Sequence, residues 1–116
     1  HGAVFARRVF GPAEQAALGL PLAEEEDTAR RTAHTVASAA ADFAAKEAFL
    51  KAAGTGLREP FSLCEIEAVR LPGGAPAYHF SGRSAQWVEA RRLRAHLSLS
   101  HEDGMAMAYC ILETET

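Results

Sequence analysis

Glu47 and Lys51 stand one helical turn apart in the run Asp42-Phe43-Ala44-Ala45-Lys46-Glu47-Ala48-Phe49-Leu50-Lys51-Ala52-Ala53, and Gly54-Thr55-Gly56 follows directly. At about 100° per residue, Val36, Ala40, Phe43, Glu47 and Leu50 fall within about 40° of one line, which puts Glu47 in the core-facing row of an amphipathic helix. A carboxylate in that row demands a cation or donors to offset its desolvation. As an exposed pair, Glu47 and Lys51 would contribute only about 0.2 to 0.5 kcal/mol to the helix. The small-residue loop adds more, because glycines let a ligand backbone or a phosphate approach closely. A carboxylate, an ammonium and a glycine loop together suggest a phosphate held with a divalent cation.

A second constellation is Ser98-Leu99-Ser100-His101. Strand alternation points both hydroxyls to one face and leaves His101 at the strand end beside a turn, an arrangement suited to an anion. Serine-nucleophile chemistry is disfavoured, since the chain has no Gly-x-Ser-x-Gly elbow. His34, His79 and His96 lack metal-ligand spacing. Arg91, Arg92 and Arg94 read as a solvated helix face, and the acidic run Glu24-Glu25-Glu26-Asp27 as a helix N-terminal or loop segment. Arg7, Arg8, Arg30 and Arg31 could form a basic patch for an acidic partner.

The elements that must position these residues are legible in outline. Val4 to Leu18 predicts two short helical pieces, with Pro12 suiting a first turn. A long alanine-rich helix is expected over 28–53, stopped by Gly54. Phe61 to Leu71 and Pro76 to Phe80 read as a hairpin around Pro72-Gly73-Gly74, and Ser84 to Arg94 as a surface helix. Leu97 and Leu99 alternate with serines, Glu102-Asp103-Gly104 turns, and Met105 to Leu112 returns as a strand. Strands paired by turns under one long helix predict an α+β fold, a small antiparallel sheet packed against helices. Its open edges favour oligomerisation.

At 116 residues the chain is expected to form one domain, 1–116. A hydrophobic share of 48% against 23% charged residues is a soluble globular balance, and no apolar run is long enough to cross a bilayer. The formal charge of −3 argues against nucleic acid as the main partner. Cys64 and Cys110 fall in predicted strands without metal-ligand spacing, so they read as small buried hydrophobes of a protein in the reducing cytoplasm.

The run from Phe43 to Gly56 closely resembles the signature of holo-acyl-carrier-protein synthases, the small 4'-phosphopantetheinyl transferases. Arg8-Val9-Phe10 with Glu14, the strand 61–69, Gly74-Ala75-Pro76 and His96-Leu97-Ser98-Leu99-Ser100-His101 follow in family order. The resemblance, which spans roughly Phe5 to Glu113, implies a 4'-phosphopantetheinyl transferase-like fold, assembled as a homotrimer with sites between subunits. It implies transfer of phosphopantetheine from coenzyme A to a serine of an apo acyl carrier protein, for fatty acid or polyketide synthesis, with release of adenosine 3',5'-bisphosphate. Glu47 would ligate Mg2+ and Lys51 would neutralise the pyrophosphate. Gly54, Thr55 and Gly56 would line the cofactor cleft. Ser98, Ser100 and His101 would meet the 3'-phosphate from an adjacent subunit, and Arg8 would contact the acidic carrier. Glu47 or a nearby water would accept the serine proton, and the sequence does not choose between them.

The sequence departs from the family twice. The family opens with a strand carrying Gly-x-Asp, whose Asp is the other principal metal carboxylate, and nothing before Phe5 matches it. Asp42 stands where the family commonly has Arg. These departures support an alternative, a catalytically silent coenzyme A-binding or structural module of the same fold.

Overall fold

The computed structural model describes residues 8–18 and 29–115, with the side chains of 8–18 and 37–115. Arg7 and the acidic run Glu24 to Asp27 therefore lie outside the described residues, as do the side chains of Arg30, Arg31, His34 and Val36. Arg8 and Val9 are helical, and Gly11 leads into helix α1, Pro12–Leu18. Pro at the first helical position loses no hydrogen bond, because that amide has no partner within the helix. Helix α2 runs Ala29–Ala53. It ends where Gly54 adopts φ 79°. The Gly54 amide donates to the Lys51 carbonyl at 3.1 Å and the Thr55 amide to the Leu50 carbonyl at 3.3 Å, the paired bonds of a left-handed glycine cap.

A short 3-10 turn, Leu63–Glu65, precedes strand β1, Ile66–Arg70, which pairs antiparallel with β2, Pro76–Phe80. The expected strand from Phe61 is thus corrected to a turn followed by a shorter strand, and Cys64 lies in the turn. Helix α3 is Gly82–Ala90 rather than Ser84 to Arg94. Glu65 accepts the Ser84 amide at 3.2 Å near its start, and Arg92 at φ 52° ends it, releasing Leu93 and Arg94 into the next strand. Strands β3, Leu93–Glu102, and β4, Met105–Thr114, form a second antiparallel ribbon. Asp103 and Gly104 join them at φ 49° and 76°, the left-handed pair that a two-residue hairpin turn needs.

Two antiparallel ribbons and packed helices make an α+β fold, as expected. The core is built around Phe49 of α2, with ring centroids 5.5 Å from Phe61, 4.9 Å from Phe80 and 6.4 Å from Trp87. Leu50, Ile66 and Val88 close it, and Leu93, Cys110 and Leu112 pack at its margin. The Tyr78 hydroxyl donates to the Ala45 carbonyl at 2.6 Å, tying β2 to α2. Cys64 and Cys110 are both free and half-buried. No helix among the described residues is long and apolar enough to cross a membrane.

Candidate functional site

The helix phase differs from the sequence expectation. Ala41, Asp42, Ala45, Lys46, Phe49 and Leu50 are the buried residues, whereas Ala40, Phe43 and Glu47 are exposed. Glu47 is therefore not in the core-facing row. It lies about 140° around the helix from Asp42, on the flank of the buried face. The apolar line through Phe43 and Glu47 borders a cleft of about 210 Å³ lined by Phe43, Glu47, Leu50, Lys51, Gly56, Leu57 and Leu63. It brings a carboxylate, an ammonium and a left-handed glycine (Gly56, φ 64°) to one surface. Thr55 stands between the two glycines, its hydroxyl donating to the Gly56 carbonyl at 3.0 Å.

The buried charge belongs to the neighbouring residue. Lys46, with no exposed surface, donates to Glu14 Oε1 at 2.5 Å, the Ile66 carbonyl at 2.6 Å and the Leu63 carbonyl at 2.9 Å. Glu14, equally hidden, also accepts the Gly11 amide at 3.1 Å and the Ala68 amide at 2.7 Å, while its own amide donates to Glu67 at 3.0 Å. Burial pushes the Glu14 carboxyl above the usual carboxylate range and the Lys46 ammonium below its own, each offset in part by the other's charge. A lysine in an alanine-rich helix reads as a surface residue, so sequence reasoning passed over it. The available signal was its position on the line of Asp42, Phe49 and Ala53.

Asp42 is buried and pairs with Arg70 at 3.7 Å, both residues lining a second cavity of about 500 Å³. Burial and the Glu14 charge raise its carboxyl to about 6, against the opposing pull of Arg70 and Lys46.

Ser98 and Ser100 point outward from β3, opposite Tyr109 and Met107. His101 is exposed and opposite Ala106, but β3 continues to Glu102, so His101 lies within the strand and, by alternation, on the other face from the serines. None of the three lines the Glu47 cleft. Arg8 is exposed beside the buried Val9. No group of three or more His, Cys, Asp or Glu side chains among the described residues could by itself hold a metal.

The arrangement of a Glu–Lys turn beside a glycine loop on one cleft coincides with a match of residues 1–110 to the 4'-phosphopantetheinyl transferase superfamily. The chain belongs to that superfamily. Holo-[acyl-carrier-protein] synthase of Bordetella pertussis is 40% identical over 114 residues, covering 97% of this chain and 70% of the relative. The enzyme of the same name from Leptothrix cholodnii is 39% identical over 111 residues, covering 96% of this chain and 80% of its own. Among solved structures, the synthase of Neisseria meningitidis superposes with a TM-score of 0.75 at 28% identity, over 97% of this chain and 82% of that one. The synthase of Bacillus anthracis, in a complex with CoA (3',5'-ADP), gives a TM-score of 0.67 at 28% identity with the same two coverages.

Proposed function

We propose that this 4'-phosphopantetheinyl transferase moves phosphopantetheine from coenzyme A to a serine hydroxyl of an acyl carrier protein. The observation that carries the reading is the convergence of Glu47, Lys51 and Gly56 on one cleft. Phosphoryl transfer requires little of a protein beyond positioning and the neutralisation of developing negative charge. Lys51 supplies the fixed cation for the pyrophosphate. The loop from Gly54 to Gly56 admits the phosphates close to the backbone, and Glu47 stands where it can accept the serine proton directly or through a water.

Mg2+ fits this donor set as a cation that arrives with the substrate. It commonly binds through one or two carboxylates together with phosphate oxygens, and Glu47 offers one carboxylate to the cleft. When bound, it would supply charge neutralisation at the pyrophosphate.

Ser98 and Ser100 take part from a neighbouring copy in a homotrimer, reaching the 3'-phosphate, while His101, on the other face of β3, approaches it from the hairpin end. Support comes from the outward face of β4, where Met105, Met107, Tyr109 and Ile111 are 67%, 42%, 61% and 65% exposed in the single chain. Arg8, exposed on the first helical turn, faces an acidic carrier.

The test is incubation with coenzyme A, Mg2+ and an apo acyl carrier protein, using the chain with any residues encoded upstream of His1. Mass spectrometry should show the carrier gaining one phosphopantetheine. Coenzyme A binding with no mass gained would instead identify a silent module of the same fold.

A further inference from the structure

Neither Glu14 nor Lys46 lines the cleft, and the pair meets its lining only through the Leu63 carbonyl, yet both charged groups are fully buried and hydrogen-bonded. All three ammonium protons of Lys46 are used, and they go to three separate pieces of chain: Glu14 in α1, Leu63 in the 3-10 turn and Ile66 in β1. Glu14 in turn accepts amides from Gly11, ahead of α1, and from Ala68, within β1. Phe10 places its ring 5.6 Å from the same ammonium. There is no room for adjustment on the α1 side, since a side-chain carbon at Gly11 would collide with Glu67 and the Cys64 carbonyl. A buried ion pair gives little net stability compared with well-packed hydrophobes of the same size, so its worth lies in what it orients.

It orients α2 about its own axis. Lys46 immediately precedes Glu47, and five directed bonds around the pair fix the helix phase at that level. A side-chain tip sits about 5 to 6 Å from a helix axis, so a rotation of about 10° would move the Glu47 carboxylate by about 1 Å. Displacement on that scale can cost about 100-fold in a reaction that depends on placement.

We propose that Glu14 and Lys46 are positioning residues that set the rotational phase of α2 and thereby hold Glu47 in the cleft. The inference rests on the transferase reading of that cleft. Phe49 and the Tyr78–Ala45 bond also hold α2, but on the turn that carries Glu47 the other buried positions, Ala41 and Ala45, are small and engage a neighbour weakly. The hydrogen-bonded pair supplies the directed contacts there.

The decisive variant is Glu14→Gln/Lys46→Met, a neutral pair of similar volume whose amide can still accept from Ala68 and donate to a released carbonyl. It should unfold cooperatively and bind coenzyme A, measured by calorimetry without divalent cations, within threefold of the native chain. Its kcat should fall by 10- to 100-fold, and the Mg2+ concentration for half-maximal rate should rise. The Glu47 carboxyl, followed by carbon NMR, should lose most of its response to Mg2+ plus coenzyme A. A folded variant with kcat within twofold of native overturns the proposal. So does an equal loss of kcat and coenzyme A affinity, which would mean support of the whole cleft rather than of Glu47. Glu14→Gln alone keeps the shape and the acceptor to Lys46, and it should show the same split at three- to tenfold if the double variant does not fold. A native chain that transfers nothing fails the functional reading itself, whereas an active native chain with an equally active variant fails only the positioning role.

Discussion

Glu47 illustrates how a residue can be picked out by a pattern that misplaces it. Counting apolar residues at helical spacing put it in the buried row, and the fold puts that row at the rim of a cleft, with Lys46 in the interior instead. The ambiguity is physical: alanines make up much of α2, they suit buried and exposed faces equally, and Phe43 at 37% exposure is a border residue. A lysine with three acceptors waiting in other elements cannot be recognised before those elements are placed. The spacing of Glu47, Lys51 and Gly56 was nevertheless legible, because it depends only on helix geometry and a glycine cap. At this scale the roles separate by measurement. Glu47→Gln keeps size and should reduce kcat by at least about 100-fold, a loss of about 3 kcal/mol of transition-state stabilisation. Its coenzyme A affinity without metal should stay within threefold. Lys51→Met should weaken coenzyme A binding about tenfold or more, because on the proposed reading it removes the cation that meets the pyrophosphate in the ground state. Steady-state kinetics with calorimetry checks both, and equal losses in kcat and affinity for Glu47→Gln would contradict its assignment.

Among the elements, those with strong local punctuation were read closely and those set by tertiary contact were not. Gly54 ends α2 at the expected residue, and Asp103-Gly104 makes the expected hairpin. The start of β1 was missed, because the 3-10 turn at Leu63–Glu65 is held by groups outside it, including the Lys46 ammonium on the Leu63 carbonyl. Helix α3 closed earlier than its pattern suggested, since only the left-handed Arg92 marks the exit. The packing of α2 on β1 carries its own test through Asp42, raised from 3.8 to about 6 by burial and by Glu14. The native state holds this proton in a range where the unfolded chain has released it. The contribution of Asp42 to stability is therefore most favourable below about pH 4 and falls as pH rises through 6, by about 3 kcal/mol for the full shift. Asp42→Asn removes the titration. Urea unfolding should show native and variant alike near pH 4, with the variant more stable by about 2 to 3 kcal/mol at pH 7.5. A difference that stays constant across that range would show that Arg70 compensates the burial fully.

For the whole molecule, the outer face of the β3–β4 ribbon is the feature a single chain leaves unexplained. Along β4 the residues alternate, with Ala106, Ala108, Cys110 and Leu112 turned inward and Met105, Met107, Tyr109 and Ile111 turned out. Four large apolar side chains in one row, beside Ser98 and Ser100 on the paired strand, make a continuous face of the kind that monomers rarely expose. The same ribbon carries a hydrogen bond at its far end, between His96 and Glu113 at 2.7 Å, which links its two strands. Ser98 and Ser100 lie away from the Glu47 cleft of their own chain, so the proposed role for them requires this face to set them against another chain's cleft. Sedimentation should give three times the 12.4 kDa chain mass. Ile111→Lys puts a charge into the row and should yield a smaller species with intact secondary structure. Its transfer rate should fall at least tenfold, although Glu47, Lys51 and the glycine loop are untouched. Recovery of activity at high protein concentration would follow from mass action, because raising the concentration restores the assembly. A native chain that sediments as a monomer while transferring at full rate would place the complete site within one chain and remove any role for the serine strand of a neighbour.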